Sequence, residues 1–281
     1  MAVTDNGTAA SGDEAFYVLT AVLLTPAQFP SVLGDDYPEA CAALALDPVP
    51  QGYGLILGQD GDGARWTVVV DDVSLVAVAI ASWDCGMEYD LSPEERTVVA
   101  SLPGWPLALA VAAPGVPEPH DPAPGPDAPE PPLCPPDTSA WGPAQRRLGA
   151  DEIALQWAIW RERIDDADFA GPEEPPREEE PPEAAPAQAP AQPLGGVRRV
   201  LAEARAYVDA PPPLGRVRSA FAPGSARMLR ADGPGWSMVA RTDDIAFVLL
   251  DEEPGEVLPV GRGRELPGLL EALDRMAVRP S

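Results

Sequence analysis

Apolar and polar residues fall along the chain in four blocks, and two of these have the periodicity of a folded core. Residues 1–14 are small and polar and are expected to form a disordered tail. AFYVLTAVLLT (15–25) is continuously apolar and rich in β-branched and aromatic side chains, which predicts a buried strand closed by Pro26. A helix is predicted from about Tyr37 to Leu46, with Pro38 tolerated in its first turn. GYGLILGQD (52–60), a Gly-Asp-Gly turn and ARWTVVVDD (64–72) predict a β-hairpin, and VSLVAVAIASW (73–83) a third strand. SPEERTVVASL (92–102) reads as a helix, with Ser92 as N-cap, Pro93 in the first turn and Glu95 completing a capping box. WPLALAVAA (105–113) reads as a last buried strand, so 15–113 is expected to be an α+β domain.

The second periodic block is 195–281. GGVRRVLAEARAYVD (195–209) places Val197, Val200, Leu201, Ala204 and Val208 on one helical side, and Pro211–Pro213 end it. SARMLRAD, GPGWSMVARTDD, IAFVLLDEE and EVLPV alternate as successive strands, and RELPGLLEALDRM (264–276) closes as a helix with Leu269, Leu270 and Leu273 inward.

Between them, 114–194 is Pro-rich and acidic and reads as an extended linker. One stretch of it is periodic. In DEIALQWAIWRERI (151–164) the residues Ile153, Trp157, Trp160 and Ile164 fall within about 60° of one another on a helix. Asp151 is the expected N-cap of this helix, which should reach about residue 165. Fourteen residues alone in water are marginally helical, so the stripe needs a surface, on its own chain or on a partner.

The two periodic blocks resemble each other. ARWTVVVDDVSLVAV (64–78) aligns with PGWSMVARTDDIAFVLL (234–250), pairing Trp66 with Trp236 and Asp71-Asp72 with Asp243-Asp244. The expected fold is two helix-flanked antiparallel β-meanders of α+β class, an internal duplication, joined by the linker. At the level of fold order this resembles secretion-chaperone-like and YbjN-like modules that bind other proteins, and no motif assigns the chain to a family.

Charge sharpens the picture. The net charge is −26, yet 195–281 carries twelve acids and twelve arginines, so the excess lies wholly in 1–194. A field of that sign disfavours nucleic acid and anionic membrane surfaces. Every basic residue is arginine, as in proteins from GC-rich bacterial genomes, which excludes P-loop, Schiff-base and general-base lysines. The single histidine, His120, lies in the linker, and Cys41, Cys85 and Cys134 are too far apart for a zinc or disulfide framework. No cofactor or metal site is expected, and no run of about 20 apolar residues reads as a membrane span. The chain is expected to be soluble and cytoplasmic.

One loop could carry chemistry. Asp84, Cys85, Glu88, Tyr89 and Asp90 follow an apolar run, and their carboxylates could hold a hard cation or act as acid and base. That gives an alternative, a small carboxylate- or metal-dependent enzyme. The repeat, the tether and the Trp stripe together favour a non-enzymatic adaptor, chaperone-like or regulatory protein. It would bind a protein partner, or itself, through Ile153, Trp157, Trp160 and Ile164.

Overall fold

A computed structural model describes residues 16–28, 36–84, 93–107, 111–123, 133–135, 137, 139–164 and 193–279. It is mixed α+β, with a four-stranded and a five-stranded antiparallel sheet, each a simple meander. The chain divides into two compact units. The first takes Met1–Leu33 and Ala42–Pro136, and the second takes Gly34–Cys41 and Asp137–Ser281.

The first unit orders β1 (Tyr17–Leu24), β2 (Tyr53–Gln59), β3 (Arg65–Val70) and β4 (Val98–Pro103) side by side. Helix α2 (Val73–Asp84) lies between β3 and β4, whereas helix α1 (Tyr37–Ala43), which precedes β2 in the chain, belongs through Cys41 to the second unit. The register sets Ala21, Ile56 and Val68 in one row across three strands. Val76, Ala79 and Ile80 of α2 pack over that face. Gly54 permits the close approach, since a Cβ there would stand 2.2 Å from Val76 Cγ2.

Three expectations for this unit are corrected. Residues 73–83 form helix α2 rather than a strand, because Asp72 Oδ1 accepts the backbone N–H groups of Ser74 and Leu75 and so caps a helix start. The predicted helix over 92–102 is a short 3₁₀ turn, Glu95–Thr97, followed by strand β4. Thr97, Val98 and Val99 are β-branched, and the edge of β3 was open to receive them. The predicted strand 105–113 forms none among its described residues. Instead Trp105 is buried with its indole N–H donating to the Gly58 carbonyl, 3.0 Å.

The Pro-rich stretch begins anchored to this unit. The buried amide of Gln59 accepts from the Ala113 N–H (2.7 Å) and donates to the Pro117 carbonyl (3.2 Å). His120 exchanges backbone bonds with Gly63 and Arg65. Residues 114–116 make a turn, and 117–120 then run beside the β2–β3 hairpin, where His120 bridges Ala64.

The second unit contains β5 (Val217–Phe221), β6 (Arg227–Gly233), β7 (Trp236–Arg241), β8 (Ala246–Leu250) and β9 (Leu258–Val260), in that order across the sheet. Strand β5 has no counterpart among the expected elements, because VRSAF is short and half polar. Alternation splits the sheet cleanly. Leu229, Ala231, Trp236, Met238, Val248 and Leu250 face helices α5 (Pro193–Asp209) and α6 (Leu266–Met276). Val239, Phe247 and Leu249 face the opposite way, against helices α3 (Pro143–Leu155) and α4 (Trp157–Glu162). The unit therefore has three layers, helix–sheet–helix, where the sequence predicted one covered face. The helix read as 151–165 begins eight residues earlier, at Pro143, so Asp151 sits mid-helix and pairs with Arg230 instead of capping.

The two aligned tryptophans both lie at the start of the third strand of a meander, Trp236 as its first residue and Trp66 as its second. Trp66 follows a five-residue loop, whereas Trp236 follows a two-residue Pro-Gly turn whose Gly235 has φ +73°. Past that strand the aligned segments differ, since Asp72 starts a helix while Asp243 and Asp244 turn a hairpin.

Candidate functional site

The predicted Trp stripe meets the chain's own second sheet. Ile153 and Trp157 are buried on Val239, Phe247 and Leu249, with Trp160 and Ile164 half-buried beside them. Trp157 meets Phe247 edge to face with ring centroids 5.2 Å apart, and Trp160 does so at 6.5 Å. Arg163 stacks over Trp160 at 4.5 Å, and Arg161 pairs with Asp244 at 3.0 Å. A turn at Gln156 separates α3 from α4 and keeps all four stripe residues on the sheet side. The stripe has thus found a surface in cis.

Along one flank of the same helices, toward β5, the sheet face is open. Leu155 is 86% exposed and Phe221, at the end of β5, is 87% exposed, the two most exposed large apolar side chains among the described residues. Both line one groove of about 380 Å³, whose apolar walls include Ala158, Pro223 and Met228. Trp157 also lines it, and its buried indole N–H meets no acceptor among the described residues. Arg230 and Arg241 border the groove, each already paired, with Asp151 and Asp243 respectively. Apolar walls with a few convergent polar groups are the general make-up of binding clefts.

At the N-terminal end of α3 the same sheet face becomes ionic. Arg146 is fully buried; its Nε donates to Asp251 (2.7 Å) and its Nη1 to Ser237 Oγ (2.5 Å). Ser237 in turn donates to Asp232 Oδ1 (2.6 Å), and Arg218 donates to Asp232 Oδ2 (2.8 Å). Burial alone would raise the pKa of Asp232, but Arg218, the Ser237 hydroxyl, Arg147 and Arg146 together hold it below the ordinary value. Beside this cluster, Arg147 Nη1 donates to Glu39 Oε2 (2.6 Å), and Arg216 Nε stands 2.6 Å from Asp36 Oδ2. Burial is the largest influence on Asp36 and raises its pKa, with Arg147 and Arg216 opposing. Neither Arg146 nor Arg147 was singled out from the sequence, where both lie in the Pro-rich block. The signal was present in PAQRRLGADEIAL, which continues the helical pattern of 151–164 upstream.

The loop that could carry chemistry, Cys85 to Asp90, lies outside the described residues, and of Asp84 only its backbone place at the end of α2 is described. Among the described residues no three His, Cys, Asp or Glu side chains gather as a metal site would require. No described helix is long and apolar enough to cross a membrane. No protein-family model, curated protein or solved structure matches the chain.

Proposed function

We propose that the protein is a non-enzymatic, cytoplasmic adaptor or regulator that binds an apolar segment of a partner protein in the Leu155–Phe221 groove. The observation that carries this reading is the convergence of its two most exposed large apolar side chains on one groove. Isolated exposed apolar residues are common on protein surfaces, whereas two that wall a single cleft support an interaction reading. The stripe of Ile153, Trp157, Trp160 and Ile164 serves that site by fixing α3 and α4 on the sheet, with Trp157 also forming groove wall. The sheet β5–β9 supplies a rigid base. We read the two meanders as copies of one ancestral unit, on their strand order and on the tryptophan in the first two residues of each third strand.

A photo-crosslinking amino acid at position 221 of the full chain, and separately at the exposed helical position Arg275, tests the proposal. Cross-linking at 221 to one defined protein in cells is the expected result, followed by a measured Kd for the purified pair that Leu155→Ser weakens at least tenfold. Equal labelling from both positions, or a Kd indifferent to Leu155→Ser, would refute it.

A further inference from the structure

The start of the Pro-rich stretch is fastened to the first unit around the chain's one histidine, His120. Residues 117–121 form a strap against the turn of the β2–β3 hairpin. They lie so close that a Cβ on Gly63 would stand 2.8 Å from the Pro117 carbonyl oxygen and 2.9 Å from that of Glu118. The His120 main chain makes two bonds there: its N–H donates to the Gly63 carbonyl (3.1 Å), and its carbonyl accepts the Arg65 N–H (2.9 Å). The Gln59 amide holds the strap at Pro117, and Asp121 pairs with Arg65 at its other end.

The His120 ring adds two contacts, and both are to carbonyl oxygens. Nε2 lies 3.0 Å from the Asp62 carbonyl on the hairpin, and Nδ1 lies 3.1 Å from the Asp121 carbonyl on the strap. A carbonyl can only accept, so each contact needs an N–H on the ring. Neutral imidazole has one N–H and would turn a lone pair toward the other oxygen, whereas the imidazolium has two and satisfies both. The charged side chains around it are Asp60, Asp62 and Arg65 on the hairpin and Glu118 and Asp121 on the strap. Arg65, the one cation among them, is paired with Asp121, and the rest favour a positive ring. The ring is exposed, so solvent protons reach it directly.

We infer that His120 is a proton-operated latch: as the imidazolium it ties the strap to the hairpin turn through the Asp62 carbonyl, and on losing its proton it lets the strap loosen. The direction of the response follows from the surroundings of the ring. The Asp121 and Asp62 carbonyls raise the pKa of His120 above its ordinary value of 6.5, with the Asp60 and Asp62 carboxylates adding to them and desolvation opposing. A group whose pKa is raised by folding contributes fully below its ordinary value, and the contribution is lost as pH rises through the folded one. The strap is therefore held fully below pH 6.5 and loosens above it. Proton concentration thus sets where the Pro-rich stretch leaves the first unit. The latch shares no residue with the Leu155–Phe221 groove, so either proposal can fail without the other.

The test uses the full-length chain, in which one histidine gives one imidazole signal in a proton–carbon spectrum. Its titration midpoint should lie above 6.5 in the folded chain and return to the ordinary value in denaturant. The shift should persist in about 0.5 M salt, which screens the chain's net charge. Hydrogen exchange, corrected for its intrinsic pH dependence, is followed at the Arg65 and His120 amides, whose bonds join strap and hairpin. Both should exchange at least about threefold faster above the midpoint than below it, while amides between β1 and β2 do not change. His120→Gln, which has no charge to lose, should show the faster exchange at every pH. An unshifted or salt-abolished midpoint overturns the inference. So does exchange that is equal on both sides of the midpoint or raised throughout the sheet, or a pH dependence that survives in His120→Gln.

Discussion

Helix α3 lies on one sheet face with two chemistries. Its C-terminal part and α4 bury Ile153 and Trp157 on Val239, Phe247 and Leu249, while its N-terminal part buries Arg146 among Ser237, Asp232 and Asp251. The apolar end is held by area and shape, which tolerate adjustment. The ionic end has no such latitude, because every charge removed strands another in a medium that hydrates it poorly. The apolar end therefore supplies adhesion, and the ionic end fixes where along the sheet the helix sits.

Arg146→Ala should break the comparison at its most sensitive point. It leaves Asp232 and Asp251 short of a counter-charge, and truncation of one partner of a buried pair costs about 3–5 kcal/mol. Chemical denaturation of the second unit, followed by Trp236 fluorescence, should show a loss of that size. Arg146→Met combined with Ser237→Ala, Asp232→Leu and Arg218→Met should recover much of it, since an apolar replacement of a buried network, Arg218 included, is often neutral. If Arg146→Ala alone is harmless, the ionic end does not position the helix.

Trp157→Ala tests the other end, and should cost about 3 kcal/mol, toward the lower part of the range for buried Trp truncation. The indole N–H it removes has no acceptor among the described residues, so no hydrogen bond to any of these is lost with it. The loss should appear in the same unfolding transition as that of Arg146→Ala, because both residues belong to the second unit. A change confined to helix content near 20 °C, with no shift in that transition, would mean that the helix docks without supporting the sheet.

The acidic limb of the stability curve distinguishes the ends again. Asp232 has a folded pKa below its ordinary value of 3.8, so its contribution is present above that value and is lost as pH falls through the lower folded one. Stability of the wild type should fall steeply on acidification below about pH 4, and Asp232→Asn should flatten that limb. Trp157→Ala should shift the curve downward without changing its slope. A wild-type limb as steep in Asp232→Asn would assign the acid sensitivity to other carboxylates.

How much of this was legible in the sequence depends on whether the deciding interaction was local. The β2–β3 hairpin, helices α5 and α6 and strands β6–β9 announce themselves by period and turn residues, and the structure has them. The Trp stripe was legible as a stripe, because Ile153, Trp157, Trp160 and Ile164 are neighbours on one helix. Which sheet received it depended on Phe247 and Leu249, some 90 residues away in sequence, which no local pattern reveals. Residues 73–83 and 92–102 were exchanged in type for a related reason. An all-apolar run such as VSLVAVAIASW has no dominant period, so a single cap at Asp72 decides it, and TVVAS becomes a strand only because β3 offers an edge. The groove was half legible: Leu155 lies off the stripe in the helical pattern of 151–164, but Phe221 lies in a strand that the sequence did not announce.

The smallest expected effect on stability is the one that bears most on function. Leu155 and Phe221 are almost fully exposed, so Leu155→Ser and Phe221→Ser remove little buried area and should each shift the second unit's stability by no more than about 0.5 kcal/mol. Arg227 stacks on the Phe221 ring at 4.6 Å, but it also donates to Ser219 Oγ at 2.9 Å and so keeps its place without the ring. The double variant should therefore unfold as the wild type does and lose the partner captured from position 221. Should it instead destabilise the unit by 2 kcal/mol or more, on the scale of buried truncations, the two side chains belong to the core on the sheet's open side. The groove would then be a seam of the fold and no docking surface.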